Sequence, residues 1–192
     1  MSTSRPRIVG LGGTIRPGST SEKALLRSLR TAEAAGADVC LLGGEFMSRL
    51  PVFDPRPGEV TDAQRELAEA VRGADGIIVA TPGYHGSMSG IVKNALDTLE
   101  LTRSDPQPYF SGKPVGVIVT ADGWQAAGTT LMAVRAIIHA LRGWPTPFGA
   151  ALNATTGLFD EAGECLVDKD AWQLATVAEQ VMDFALMKAA SR

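Results

Sequence analysis

At 192 residues, 45% hydrophobic and 20% charged, the chain is long enough to bury one substantial core and reads as a single domain over residues 1–192. A formal net charge of −3, with no run of Lys and Arg, excludes electrostatic binding of nucleic acid. No apolar run approaches the ~20 residues that cross a bilayer, so no membrane segment is expected. Strands and helices then alternate along the chain. Arg7 to Leu11 reads as a first strand and not as a signal peptide, because Gly10, Gly12 and Gly13 break the apolar run. A helix is expected from about Thr20 to Ala35, ending at Gly36, and a second strand at Val39 to Leu42. Glu45 to Val60 holds Pro51, Pro55 and Pro57 and reads as loop. The second helix starts at Thr61, where Gln64 completes a capping box, and it presents Leu67, Ala70, Val71 and Ala74 to the core. Strand three is Gly76 to Ala80, helix three runs from Ser89 to Leu101, and strand four is Val115 to Thr120. Helix four spans Thr129 to Arg142, and strand five spans Thr146 to Leu152. A fifth helix begins at Asp168 and turns Leu174, Val177, Val181 and Phe184 or Ala185 to one side.

Five short strands alternating with helices predict an α/β fold, a doubly wound five-stranded parallel sheet of order 2-1-3-4-5 with helices on both faces. In that order the binding crevice opens between strands one and three, beyond their carboxyl ends. The only cysteines are Cys40 and Cys165. Cys40 sits in a strand pattern as a small core residue, neither disulfide nor metal site is expected, and a reducing, cytoplasmic setting fits.

The loop after strand one, Gly13 to Ser21, leads into a helix N-terminus, which offers unpaired N–H groups and a partial positive charge. Thr14, Ser19, Thr20 and Ser21 add hydroxyls, and Arg16 adds a charged fork that matches phosphate. This suits a terminal phosphate monoester. A triphosphate-binding P-loop fails, because Ser19 stands where the lysine is needed. A G-x-G-x-x-G fingerprint fails at Ile15. The plainer alternative is that Ser19 and Glu22 form only a capping box.

The loop after strand three reads TPGYHGSMSGIVKNALD from Thr81 to Asp97. It resembles the T-P-E-Y-N-x-S-x-P-G-x-L-K-N-A-I-D signature of the NADPH-dependent FMN reductase family, whose members are flavodoxin-like. GGTIRPGSTS (Gly12 to Ser21) resembles that family's phosphate loop G-S-x-R-x-x-S, and the stretch TADGWQAAGTTLMAVRAIIHALRGWPTP extends the likeness to most of the chain. The resemblance implies FMN as cofactor and NADPH or NADH as reductant. It assigns the phosphate to Thr14, Arg16, Ser19 and Ser21. It assigns the flavin ring to the loop Pro82, Gly83, Tyr84, His85, Gly86 and Ser87, with Asp122 and Gly123 closing over it from the loop after strand four. Three departures stand out: Gly83 replaces Glu, His85 replaces Asn and Ser89 replaces Pro. Trp124 is either a lid aromatic or an interface anchor. His139 reads as a core or interface residue, and Tyr84 alone could equally be core packing.

The chemistry that this implies belongs to the cofactor, so no catalytic side chain is required. None is visible. Met88 stands where a G-x-S-x-G elbow needs its serine, and there is no H-E-x-x-H or zinc-spaced Cys/His cluster. The resemblance implies that hydride passes from the nicotinamide to FMN, then to a partner monooxygenase or to a small-molecule acceptor of quinone or azo type. The alternative is a flavodoxin-like electron carrier without NAD(P)H turnover, although such carriers tend to be more acidic and use a T-x-[ST]-x-T loop. Helix four is apolar all round (Leu131, Met132, Val134, Ile137, Ile138, Leu141), which predicts a homodimer or homotetramer.

Overall fold

The computed structural model describes residues 5–56 and 58–191. Its strands are β1 (Arg7–Gly12), β2 (Asp38–Leu42), β3 (Gly76–Tyr84), β4 (Ser87–Met88), β5 (Pro114–Ala121), β6 (Trp144–Pro145) and β7 (Ala150–Asn153). Its helices are α1 (Thr20–Ala34), α2 (Gly44–Met47), α3 (Asp62–Arg72), α4 (Gly90–Thr98, continued by a 3-10 turn at Leu99–Thr102), α5 (Trp124–Ala140) and α6 (Asp168–Ala190). The sheet runs β2-β1-β3-β5-β6, with β7 also on β5 and β4 on β3. Every pairing is parallel except the β3–β4 hairpin.

Seven strands therefore replace the five expected. The stretch 146–152 is not one strand. β6 pairs with Pro114 and Val115, and β7 pairs with Ile118 to Ala121, at two ends of the same neighbour. Pro147, between them, has no N–H to give to a ladder. β4 is the other addition. β3 runs on past Ala80 through Pro82 and Gly83 and folds back on itself.

The central strands are buried on both faces, as a sheet covered by helices requires. On one side α1 and α6 cover it, joining Leu25, Leu29, Leu174, Val177 and Val181 to Ile8, Ile78 and Ile118. On the other, α3, α4 and α5 bring Leu67, Val71, Val92, Leu96, Val134 and Ile138 against Val9, Val79 and Val117. Glycines on the first side let the helices close in. A Cβ at Gly10 would meet Leu29 at 2.6 Å, one at Gly76 would meet Val181 at 2.6 Å, and one at Gly116 would meet Val177 at 2.5 Å.

Local signals place the helices. Thr61 and Gln64 form the expected capping box at α3. Ser89 caps α4 by accepting from Val92 N–H, which accounts for a serine where proline is usual. Two boundaries differ from expectation. A helical turn, α2, interrupts the Pro-rich stretch that reads as loop. α5 starts at Trp124 rather than Thr129. Gly128 looks like a helix breaker, but it sits in open space inside α5 and costs only the ~1 kcal/mol of an exposed helical glycine. Among the described residues no helix is long and apolar enough to cross a membrane.

Candidate active site

Four loops meet at the carboxyl ends of β1, β3, β5 and β7. They enclose a cleft of about 640 Å³, within the usual range for a cofactor site. Its wall brings together Thr14, Arg16, Ser19, Ser21, Pro82, Gly83, Tyr84, His85 and Asp122. Gly86, Ser87 and Gly123, also expected there, belong to the same loops but do not line the cleft. Gly86 and Ser87 lie on the far limb of the hairpin turn, and Gly123, at φ 123°, is the residue from which α5 starts. Sequence reasoning missed Ala126 and Ala154; Thr120 and Ala121, expected in the loop that closes over the site, line it from the end of β5. Ala154 follows β7, and the rule that ligands sit beyond strand ends was the one signal that pointed to it.

The phosphate side is set by how β1 ends. Gly12 has φ 140°, and a Cβ there would lie 1.8 Å from Ala80 O, so only glycine lets β1 run this close to β3. Gly13 N–H then donates to Ala80 O at 3.0 Å and ties the loop down. Thr14 Oγ1 accepts from Arg16 N–H at 3.1 Å. Ser19 caps α1 by accepting from Glu22 N–H, and its hydroxyl lies 3.4 Å from that of Ser21. The amides of Thr20 and Ser21 have no intramolecular partner among the described residues. Arg16 is exposed, and its guanidinium is paired with no carboxylate among the described residues. An anion at the start of α1 would thus find free N–H groups, hydroxyls and a free charged fork.

The opposite wall is the β3–β4 hairpin. Tyr84 pairs with Ser87, and the two residues between them, His85 and Gly86, have φ 51° and 84°. Positive φ at both central positions is the type I′ pattern, which favours Asn first and Gly second. His tolerates that region better than most residues, so His85 takes the place of Asn at little backbone cost. Gly83 is equally constrained. A Cβ there would lie 3.0 Å from both Ala121 Cβ and Thr130 Oγ1 and 3.3 Å from Ala126 O. The early start of α5 fills the space that a larger residue would need. Thr81 Oγ1 accepts from Ser89 N–H at 3.0 Å and joins the hairpin to α4.

Behind the hairpin, the Lys93-Asn94-Ala95-Leu96-Asp97 run has structural work. Lys93 pairs with Asp97 at 2.7 Å. Asn94 clasps the Pro-rich loop twice, accepting from Phe53 N–H at 2.8 Å and donating to Pro51 O at 2.9 Å. Tyr84 and Trp124 are 53% and 60% exposed, so neither is core packing, and His139 is exposed on α5 rather than in the core. A second cleft of similar size, about 630 Å³, lies between the Pro-rich loop and the end of α4. Its cation, Arg56, is already paired with Asp54, and the helix start that lines it, Thr61 with Gln64 at α3, is closed by its own capping box. The strand-end cleft is the better candidate for a cofactor.

Comparison with known proteins gives the family and the fold. The chain belongs to the NADPH-dependent FMN reductase family, whose profile matches residues 6–156. Family members are NAD(P)H-dependent flavin oxidoreductases that use FMN. An FMN-dependent NADPH-azoreductase from Staphylococcus aureus is 33% identical over 142 residues, covering 73% of this chain and 70% of that protein. The flavoenzyme FerB, an NAD(P)H:(acceptor) oxidoreductase from Paracoccus denitrificans, superposes with a TM-score of 0.77 at 21% identity, covering 95% of this chain and 98% of that one. An NADH:FMN oxidoreductase in its apo form gives 0.69 at 23% identity, covering 95% and 89%. A flavodoxin from Streptococcus pneumoniae gives 0.57 at 16% identity, covering 94% and 99%. These structural likenesses define the fold as flavodoxin-like α/β.

Proposed function

We propose that this chain holds FMN in the strand-end cleft, reduces it with NADPH or NADH, and delivers the electrons to a small planar acceptor of quinone or azo type. Release of reduced FMN to a monooxygenase is the other outlet of the same chemistry. The observation behind this reading is the pairing, in one cleft, of an unpaired Arg16 and free α1 amides on one wall with the rigid Pro82–His85 arm on the other. The azoreductase relative favours an azo acceptor.

When bound, FMN would supply the redox chemistry, two-electron exchange between a nicotinamide and an acceptor. The chain's residues bind and orient. The amides of Thr20 and Ser21, the hydroxyls of Ser19 and Ser21 and the Arg16 fork hold the terminal phosphate. Pro82, Gly83, Tyr84 and His85 would hold the ring side of the cofactor. The open side of the cleft would admit nicotinamide and acceptor in turn. No side chain need move a proton in the rate-setting step.

The working unit in this reading is a homodimer or homotetramer. Trp124, Gly128, Met132 and Ala136 repeat at four-residue spacing along α5, and Trp124 and Met132 are 60% and 67% exposed. Sedimentation that yields only a 20.1 kDa species at micromolar concentration would remove this part.

Two measurements test the function. Flavin titration of the purified protein should show saturable FMN uptake. Steady-state assays with a quinone or an azo dye should then show NADPH or NADH oxidation. A protein that binds no FMN refutes the site. One that binds FMN but oxidises neither nucleotide is an electron carrier.

A further inference from the structure

Glu22 is a buried acid packed behind the Gly13–Ser19 loop, next to the cleft but not in its lining. It occupies the third position of α1 and is 8% exposed. In an ordinary capping box its carboxylate would accept from the Ser19 amide. Here Ser19 N–H donates to Arg16 O at 3.3 Å, and Glu22 Oε2 accepts instead from Gly18 N–H at 3.0 Å. Two glycines make room for it. A Cβ on Gly43 would come within 2.6 Å of Glu22 Oε1, and one on Gly44 would lie 3.3 Å from both Oε2 and the Arg16 carbonyl carbon. The carboxylate is thus wedged between the Gly13–Ser19 loop and the start of α2, bonded to a backbone amide rather than to a cation.

That location opposes the loop's purpose. A negative charge at a site that attracts a phosphate repels it, and burial strengthens the repulsion by removing the water that would screen it. Its hydrogen bond, however, fixes Gly18 and so the shape of the loop. We propose that Glu22 is an affinity-determining residue that weakens the hold on the FMN phosphate, so that FMN exchanges rather than staying bound as a permanent group. This rests on the assignment of FMN to the cleft. Riboflavin, which lacks the phosphate, is blind to the effect.

The test compares four affinities by flavin-fluorescence titration: FMN and riboflavin, each with wild type and Glu22→Gln. Glutamine keeps an oxygen acceptor for Gly18 N–H and removes the charge. The expected result is FMN binding tighter by about tenfold, or ~1.4 kcal/mol, with slower FMN dissociation and riboflavin affinity within about twofold of wild type. Unchanged FMN affinity overturns the proposal. So does an equal shift for both flavins, and so does a loss confined to FMN, which would make the carboxylate a shaping group only. Melting of the flavin-free proteins reports folding separately, and Glu22→Ala, which removes the bond to Gly18 N–H as well as the charge, should gain less FMN affinity than Glu22→Gln. Wild-type protein that binds FMN with no change in either variant sinks only the role of Glu22. Wild-type protein that binds neither flavin sinks the cleft assignment as well.

Discussion

Arg16→Ala is the sharpest probe of the phosphate side. The side chain stands in solvent at the rim of the cleft and has no carboxylate partner to lose among the described residues, so its removal should leave folding stability within ~0.5 kcal/mol. In the proposed site it would contribute a hydrogen bond between charged groups, about 1.5–3 kcal/mol in general. Exposure places it near the bottom of that range, because water competes for the same guanidinium. The expected loss is therefore about 1.5–2 kcal/mol, or ~10–30-fold in Kd. The thirty-fold end needs both prongs of the fork on the phosphate. Fluorescence titration with FMN and riboflavin, in wild type and variant, separates the effects. FMN should weaken and riboflavin should not, and the difference should shrink as salt screens the pair. Equal weakening of both flavins would mean that Arg16 shapes the loop instead of binding phosphate. An unchanged FMN affinity would remove Arg16 from the site.

Three other outcomes follow from the geometry. His85→Asn keeps a residue that accepts the positive φ of the hairpin turn; stopped-flow reduction of bound FMN between about pH 5.5 and 8.5 should stay within about tenfold of wild type, or ~1.4 kcal/mol of barrier, and a thousandfold loss with FMN still bound would make His85 an essential catalyst. Asn94→Ala breaks the two-bond clasp on Pro51 and Phe53; at ~0.5–1.5 kcal/mol for each bond the melting temperature should fall by several degrees, and an unchanged melting curve would show that the clasp adds nothing. Burial raises the pKa of the Cys165 thiol; because the thiolate is the nucleophile, its alkylation followed by mass spectrometry should be slow at neutral pH and keep accelerating above the ordinary thiol range, whereas a plateau near pH ~8.5 would contradict the burial.

Much of the site was legible because its chemistry is local. Gly13, Thr14, Arg16 and Ser19 announce an anion loop within seven residues, and the Thr61–Gln64 capping box needs only its own four. What escaped depends on distant partners. The detour of the Glu22 carboxylate is set by Gly43 and Gly44, some twenty residues on. Ala154 enters the cleft only because β7 lies beside β5, and alanine advertises no chemistry. The continuation of β3 through Pro82 and Gly83 was hidden because both residues ordinarily end a strand. Pairing with β5 on one side, and then with β4, carries the chain past them. Gly128 hid the start of α5 in the same way.

β3 runs without interruption from Gly76, at the buried end of the sheet, to Tyr84 at the cleft. The hairpin wall of the cleft is therefore not a flap attached to the protein but the tip of a central strand whose first seven residues are buried. A flap opens by local fluctuation, whereas this arm can detach only when the pairing of Thr81 and Pro82 with Val119 and Thr120 is lost. In hydrogen-exchange terms, the amide of Thr81 should be protected close to the level of global unfolding even without flavin. Beyond its anchor at Gly13, the Gly13–Ser19 loop rests on a few isolated bonds rather than a ladder and should exchange far sooner. Flavin entry and departure would then be timed by the Gly13–Ser19 side alone, with the ring-side wall held as a fixed template.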